Sequence, residues 1–335
     1  MIGVLLINLG TPDSPATQDV RKYLSEFLND PRVIDIHPVS RFFLVNGIIV
    51  PFRAPKSAKL YKEIWTERGS PLLFHTKDLT EKLQTQLGKD YIVDYAMRYQ
   101  KPSIKEAINR LYSKSLTKLI VIPLYPQYAL SSTGSTIEKF FDEIKTWPTF
   151  PDFKIINSFY NHPEFLNAWV EIGKKYNHQE YDHVLFSFHG LPERQINKCD
   201  NSGKKCFTNG CCDKIDELNH QCYRASCFET ARQIANGLQI NHEKYSVSFQ
   251  SRLGKDPWIK PYSDFEIKRL AGEGKKKILV FSPAFVADCL ETLHEIGTEY
   301  NELFLEHGGE KIQLVESLNS NDSWVNALKS LILEK

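Results

Sequence analysis

The chain reads as an α/β protein built from two halves, each with a parallel sheet flanked by helices. Three observations carry this. Short apolar or β-branched runs alternate with helical patterns along all 335 residues, the signature of βαβ units. Glycine and proline punctuate the ends of these runs, as at Gly10 and Pro12 and again at Pro123 and Pro126. A proline-broken segment, Trp147–Asp152, separates two series of similar build near mid-chain.

In order, the expected strands are Ile2–Asn8, Tyr91–Met97, Lys118–Leu124, Lys154–Phe159, His183–Phe188, Tyr245–Gln250, Lys277–Ser282 and Gln313–Glu316. Helical patterns fall between them at Thr76–Gln86, Ser103–Tyr112, Pro163–Tyr176, Asp264–Gly272 and Ser323–Leu333. The expected organisation is an N-terminal domain at 1–150 and a C-terminal domain at 151–318. A last helix within 319–335 is expected to pack back on the first domain. No short repeat, coiled coil or low-complexity tract interrupts this order.

Composition narrows the function classes. A quarter of the residues are charged and 41% are apolar, as in ordinary soluble globules, and the formal net charge of +1 gives no reason to expect a nucleic-acid partner. Ile2–Ile7 starts an apolar strand with no basic leader before it, so the reading is cytoplasmic, without a signal peptide. The longest apolar stretch, Phe42–Phe52 between Arg41 and Arg53, is too short and too broken to span a bilayer. It suits a buried core segment, a lip (about 41–53) touching a membrane surface, or a partner face.

In open α/β sheets, ligands bind beyond the carboxyl ends of the strands. Those ends carry the unusual residues here: Met97–Tyr99, Tyr125–Ser135, Ser187–Arg194 and Gln250–Gly254, with Pro257 and Trp258 nearby. Rings to pack on a flat ligand and arginines to hold its carboxylates are thus gathered at the functional edge. The first strand–turn reads NLGTPDSP rather than GxGxxG, and no Walker A run exists, which excludes the common nucleotide-binding signatures. Ser131–Ser135 suits either plain helix capping or an anion contact. His189, followed by Gly190 and Pro192, brings a near-neutral base or transition-metal ligand to a strand end.

The segment Phe281–Tyr300 adds a row of acids. At about 100° per residue, Asp288, Glu291, Glu295, Glu299 and Glu302 fall within roughly 80° of one helical face. Such spacing is repulsive in a bare helix and suits a cation or a proton path. A solvated acidic face is the plainer alternative.

Taken together, the runs Asn8–Pro12, Gly69–Leu72, Met97–Tyr99, Tyr125–Tyr128, Ser187–Pro192, Gln250–Arg252, Pro257–Trp258 and Phe285–Glu295 resemble the ordered motifs of the ferrochelatases, nearly end to end. That resemblance implies two Rossmann-like domains of the chelatase fold with a porphyrin in the cleft between them. It implies a lyase inserting Fe(II) into protoporphyrin IX with release of two protons, late in haem biosynthesis. Coproporphyrin III is the alternative substrate, and a non-catalytic porphyrin carrier or a cobalt or nickel chelatase the alternative function.

Carried over by position, the resemblance makes His189 and Glu291 the catalytic pair, and His189, Glu291, Asp288 and Glu295 the metal-handling set. Arg98, Tyr61, Tyr125, Ser135 and Trp258 become porphyrin contacts, and Phe42–Phe52 a membrane-touching lip. Cys289 departs from the pattern, standing where members often carry histidine. Oligomeric state is not legible.

Six of the seven cysteines crowd into Cys199, Cys206, Cys211, Cys212, Cys222 and Cys227. Without a secretory signal, such a cluster points to metal or redox chemistry. The expectation is a [2Fe–2S] cluster within 199–227, with zinc, free thiols or disulfides as alternatives. By the same resemblance, the animal-type ligand arrangement is not expected, since its first position reads Leu130 here and the chain stops at Lys335.

Overall fold

A computed structural model describes residues 1–200, 206–254 and 256–334. The chain divides into two compact units, Met1–Asn157 with Asn319–Lys335, and Ser158–Leu318.

The first unit holds β1 (Ile2–Gly10), β2 (Tyr91–Tyr99), β3 (Lys118–Pro123) and β4 (Asp152–Ile155) in the parallel order β2-β1-β3-β4. The second holds β5 (His183–His189), β6 (Tyr245–Gln250), β7 (Lys277–Phe281) and β8 (Lys311–Leu314) in the equivalent order β6-β5-β7-β8. Each sheet reverses direction of build beside its first strand, which is where ligands settle in such folds.

The central strands are buried on both faces, so they read as apolar runs. Leu5, Ile7, Leu119 and Val121 pack against Ile104, Ile108 and Phe140 in the first unit. Leu185, Ile278 and Val280 pack against Ile267, Leu270 and Phe304 in the second. A fully buried side chain of this size contributes about 2–3 kcal/mol.

The helix Ile104–Tyr112 starts from a capping box in which Ser103 and Glu106 bond one another's backbone. At the end of β1, Gly10 takes φ +115, and a Cβ there would lie 2.1 Å from the Tyr99 carbonyl oxygen; only glycine fits.

Two differences from the sequence reading concern the domain limits. The expected boundary at 150/151 falls before β4, whereas the units part after Asn157 because β4 pairs with β3. The strand expected at Lys154–Phe159 accordingly sits earlier, and that expected at Gln313–Glu316 begins at Lys311. The closing helix, Asp322–Leu333, belongs to the first unit. It buries Trp324, Val325 and Leu328, and Lys82 Nζ reaches the Ser320 carbonyl and Asp322, both at 2.8 Å.

Among the described residues π-helical geometry appears at three places, Leu44–Ile49, Leu130–Gly134 and Glu291–Tyr300. Helix Pro38–Phe43 continues through a π-helical segment, Leu44–Ile49, into helix Val50–Ile64. Within this stretch Phe42, Phe43, Ile48 and Phe52 are exposed, by 58%, 67%, 57% and 73%, so it is not a buried core segment. The acidic segment Glu291–Tyr300 is also π-helical. Its i→i+5 bonding widens each turn beyond the α value. The α-helical stripe of five acids is therefore replaced by a closer alignment of residues four apart, Glu291, Glu295 and Glu299.

Candidate active site

In the second unit, His189 closes β5 opposite Gln250 on β6. Its Nδ1 lies 2.6 Å from the Gly190 carbonyl oxygen. A carbonyl only accepts, so Nδ1 carries the hydrogen, and in the neutral ring Nε2 keeps a lone pair. Gly190 itself donates to the Gln250 carbonyl at 2.8 Å, and a Cβ on Gly190 would approach that oxygen to 2.7 Å. The half-buried Trp258 ring packs over the same glycine, pinned through Nε1 to the Leu253 carbonyl at 2.9 Å. His189 and Trp258 are thus brought to one turn.

Gln250 links this turn to the π-helix. Its side chain donates to the Glu291 carbonyl at 3.0 Å and to Glu295 at 2.9 Å, while accepting from Ser187 at 2.8 Å. Glu295 also accepts from the Ser251 backbone at 2.9 Å, the Ser251 hydroxyl at 2.5 Å and Tyr300 at 3.0 Å. Burial and the Glu295 charge push the Tyr300 phenol far up, so it remains a donor. Glu299 is held above the usual carboxylate range by desolvation and by Glu295.

Asp288, buried, accepts from Thr292 and from the Ser317 backbone, each at 3.2 Å. Among the described residues, no three His, Cys, Asp or Glu side chains are poised to hold a metal ion. The four-residue set His189, Glu291, Asp288 and Glu295 is therefore not preassembled, because Asp288 and Glu295 are engaged by donors of the protein itself. Cys289 is buried beside Glu291; burial foremost, and then that carboxylate, hold its thiol well above its ordinary value, as a neutral donor.

In the first unit, Arg98 stands next to last on β2 and pairs with Asp30 through Nη2 at 2.5 Å, while its Nε bonds the Ser135 hydroxyl at 2.7 Å. Asp30 further accepts from the Tyr99 phenol at 2.9 Å and from the Ser135 hydroxyl at 2.5 Å. Burial pushes the Tyr125 phenol up, with Thr136 and Arg98 pulling it back. Tyr61 lies elsewhere, buried in the helix Val50–Ile64 with its ring edge-on to Tyr23 and Trp65. A chain of rings, Tyr23, Phe27 and Tyr99, runs from it to the Arg98 group.

Sequence reasoning missed Asp30 and the role of Gln250. Asp30 lies 68 residues from Arg98, and its only local signal is the Asn29–Asp30–Pro31 turn.

None of the seven cysteines, all of them among the described residues, is in a disulfide. Cys199, Cys206, Cys211 and Cys222 line one small cavity with Ile196, Asp200, Leu218 and Asn219. Asn219 braces it by donating to the Cys211 and Lys214 carbonyls at 2.9 and 2.8 Å. Cys212 turns to Arg224, whose Nη1 is 3.0 Å from its sulfur, and Cys227 is buried on the helix Tyr223–Gly237. Burial is the main cause holding Cys206 and Cys222 above their ordinary value and Cys212 up to about 12. Part of the cysteine-rich insertion, residues 201–205, lies outside the described residues.

The ferrochelatase family model matches residues 1–335. The chain belongs to the ferrochelatase family. A ferrochelatase of Legionella pneumophila (strain Lens) is 45% identical over 333 residues, 99% of both chains. One of Coxiella burnetii (strain Dugway 5J108-111) is 43% identical over 331 residues, 98% of this chain and 92% of that one. Among solved structures, SirB from Bacillus subtilis with Fe3+ aligns over 99% of this chain and 94% of its own, with a TM-score of 0.53 at 12% identity, a likeness of fold alone. Ferrochelatases insert iron into a porphyrin in haem biosynthesis, and this chain is a ferrochelatase-family enzyme of the lyase class.

Proposed function

We propose that the chain inserts Fe(II) into protoporphyrin IX, with His189 as the base. The reaction replaces two pyrrole N–H protons by one divalent iron, so two protons must leave. His189 Nε2, the basic nitrogen of the neutral tautomer that the bond from Nδ1 to Gly190 selects, accepts a pyrrole proton. Glu291 takes part in the same deprotonation, and Glu295 and Glu299 carry charge and protons away along the π-helix. Arg98 and Ser135 hold a propionate: Arg98 Nη1 is not used by Asp30 or Ser135 and offers two donors. Gripping the rim holds the macrocycle puckered, which exposes nitrogen lone pairs to the metal.

The observation that carries this reading is the fixed imidazole, oriented on a strand end that Gln250 ties to Glu291 and Glu295. The test is anaerobic mixing of protein, Fe(II) and protoporphyrin IX, followed by the metalloporphyrin spectrum. Insertion should be abolished by His189→Ala and strongly slowed by Glu291→Gln, with porphyrin still bound. Faster turnover with coproporphyrin III would replace the substrate, and porphyrin binding without insertion by the native protein would leave a carrier.

Phe42–Phe52 forms a peripheral contact with a membrane surface. Its exposed aromatic and aliphatic side chains support this. Among the described residues, no helix is long and apolar enough to cross a membrane.

The cysteine cavity takes a [2Fe–2S] cluster through Cys199, Cys206, Cys211 and Cys222. Four thiols line one cavity, the sulfur-only donor set such a cluster takes, and they must draw closer to bind it, since among the described residues no three are poised around one ion. Raised thiol pKa values keep the protons on Cys206 and Cys222 until a cation displaces them. A bound cluster would crosslink this segment and could carry one electron. Iron and acid-labile sulfide in stoichiometric amounts, with visible absorption lost in Cys211→Ser, are expected from anaerobically purified protein. Zinc without sulfide would replace the cluster.

A further inference from the structure

We propose that Tyr223 is a positioning residue for His189, clamping the peptide unit from which the imidazole is oriented. This rests on the reading of His189 as the base. Tyr223 opens the helix Tyr223–Gly237, is buried, and donates its phenol to the His189 carbonyl at 2.8 Å. The next atom pair of the same peptide unit is also held, since the Gly190 N–H donates to the Gln250 carbonyl at 2.8 Å. Both polar atoms of the His189–Gly190 peptide are therefore fixed, one by a side chain and one by the neighbouring strand.

The geometry matters because His189 Nδ1 bonds the Gly190 carbonyl, one peptide further on. A rotation of the His189–Gly190 peptide moves that acceptor and loosens the tautomer that leaves Nε2 free. Gln250 alone constrains one end of the plane. Tyr223 supplies the other, from 34 residues along the chain. Burial keeps the phenol protonated at all working pH values, so the clamp is permanent.

The clamp also lies next to the cysteines. Cys222, which lines the cavity, immediately precedes Tyr223, and Cys227 is one helical turn away. The segment that carries the thiols and the segment that fastens His189 are one backbone.

Tyr223→Phe tests this, since it removes a single hydroxyl and keeps the ring. The primary readout is the nitrogen NMR spectrum of the His189 ring, assigned by comparison with His189→Ala. The expected result is a loss of the Nδ1–H tautomer. With it, kcat should fall roughly tenfold with porphyrin KM unchanged. An unchanged tautomer, with kcat within about twofold of the native value, would overturn the proposal. Should Tyr223→Phe not fold, 3-fluorotyrosine at position 223 keeps the ring and strengthens the donor. It should change the Nδ1–H tautomer population in the opposite sense, and no change overturns the clamp. Normal insertion by His189→Ala would remove the base reading alone, because the NMR readout decides the clamp without reference to activity.

Discussion

Arg98 and Asp30 form a buried ion pair, Nη2 to Oδ2 at 2.5 Å, with only 12% and 2% of the side chains exposed. The aspartate also takes hydrogen bonds from Tyr99, Ser135 and the Arg32 backbone. One carboxylate thus sets the position of an arginine and a serine on two different elements. Removing one partner of a buried pair leaves the other charge unpaired and costs about 3–5 kcal/mol.

Asp30→Ala should therefore lower the denaturant midpoint by an amount equivalent to about 3–5 kcal/mol. Arg98→Lys keeps the charge but loses the planar fork. It should raise porphyrin KM about tenfold with little change in kcat, and the penalty should vanish for a porphyrin whose propionates are esterified. A KM increase that persists for the ester would count against propionate binding by Arg98.

Glu295→Gln should cost both stability and rate. Its carboxylate receives four donors, two of them hydroxyls, and charge-assisted bonds of this kind are worth about 1.5–3 kcal/mol each before compensation. A loss of about 2–4 kcal/mol is expected in urea unfolding. Glu291→Gln, by contrast, should slow insertion with a loss below about 1 kcal/mol. Equal destabilisation by both would show that Glu291 is as structurally engaged as Glu295.

Acid sensitivity should trace in part to His183. This residue is buried at the start of β5, bonds Ser246 at 2.9 Å, and burial lowers its pKa from 6.5 to about 4, against the opposing pull of Glu266. Between those values the unfolded chain binds a proton that the folded chain refuses. Stability from this group is complete above about pH 6.5 and is lost as the pH falls toward 4, on the order of 3 kcal/mol in all. His183→Gln should flatten this limb of the stability profile while leaving insertion kinetics at neutral pH unchanged. A limb of unchanged slope would assign the effect to other groups.

The apolar lip gives a fourth expectation. Replacing Phe42, Phe43 and Phe52 together by serine should abolish co-flotation with phospholipid vesicles and leave insertion into a detergent-solubilised porphyrin intact. These side chains are exposed, so the folding midpoint should move by less than about 1 kcal/mol. Undiminished flotation would place the membrane contact elsewhere.

The strands were legible because a parallel strand buried on both faces must be apolar throughout, as Val4–Ile7 and Leu185–Phe188 are in large part. Strand ends were legible too: His189 and Arg98 lie where punctuation by glycine and aromatic residues put them. The π-helices were not. An apolar or acidic period read at the α repeat cannot reveal i→i+5 bonding, and so the acidic stripe came out too regular. Asp30 and Tyr223 were illegible for another reason. Their partners, Arg98 and His189, lie 68 and 34 residues away, and no local pattern records a contact made only by the folded topology.

The helix Asp322–Leu333 has a bearing on biosynthesis. Its place in the first unit makes the second unit an insertion within the first along the polypeptide. Lys154 Nζ is caught by the Leu331 and Glu334 carbonyls, and Lys82 by Ser320 and Asp322. On the ribosome these lysines emerge long before their acceptors. The whole second unit is synthesised while the first still shows the apolar face that Trp324 and Leu328 will cover. The half made first is therefore the half completed last.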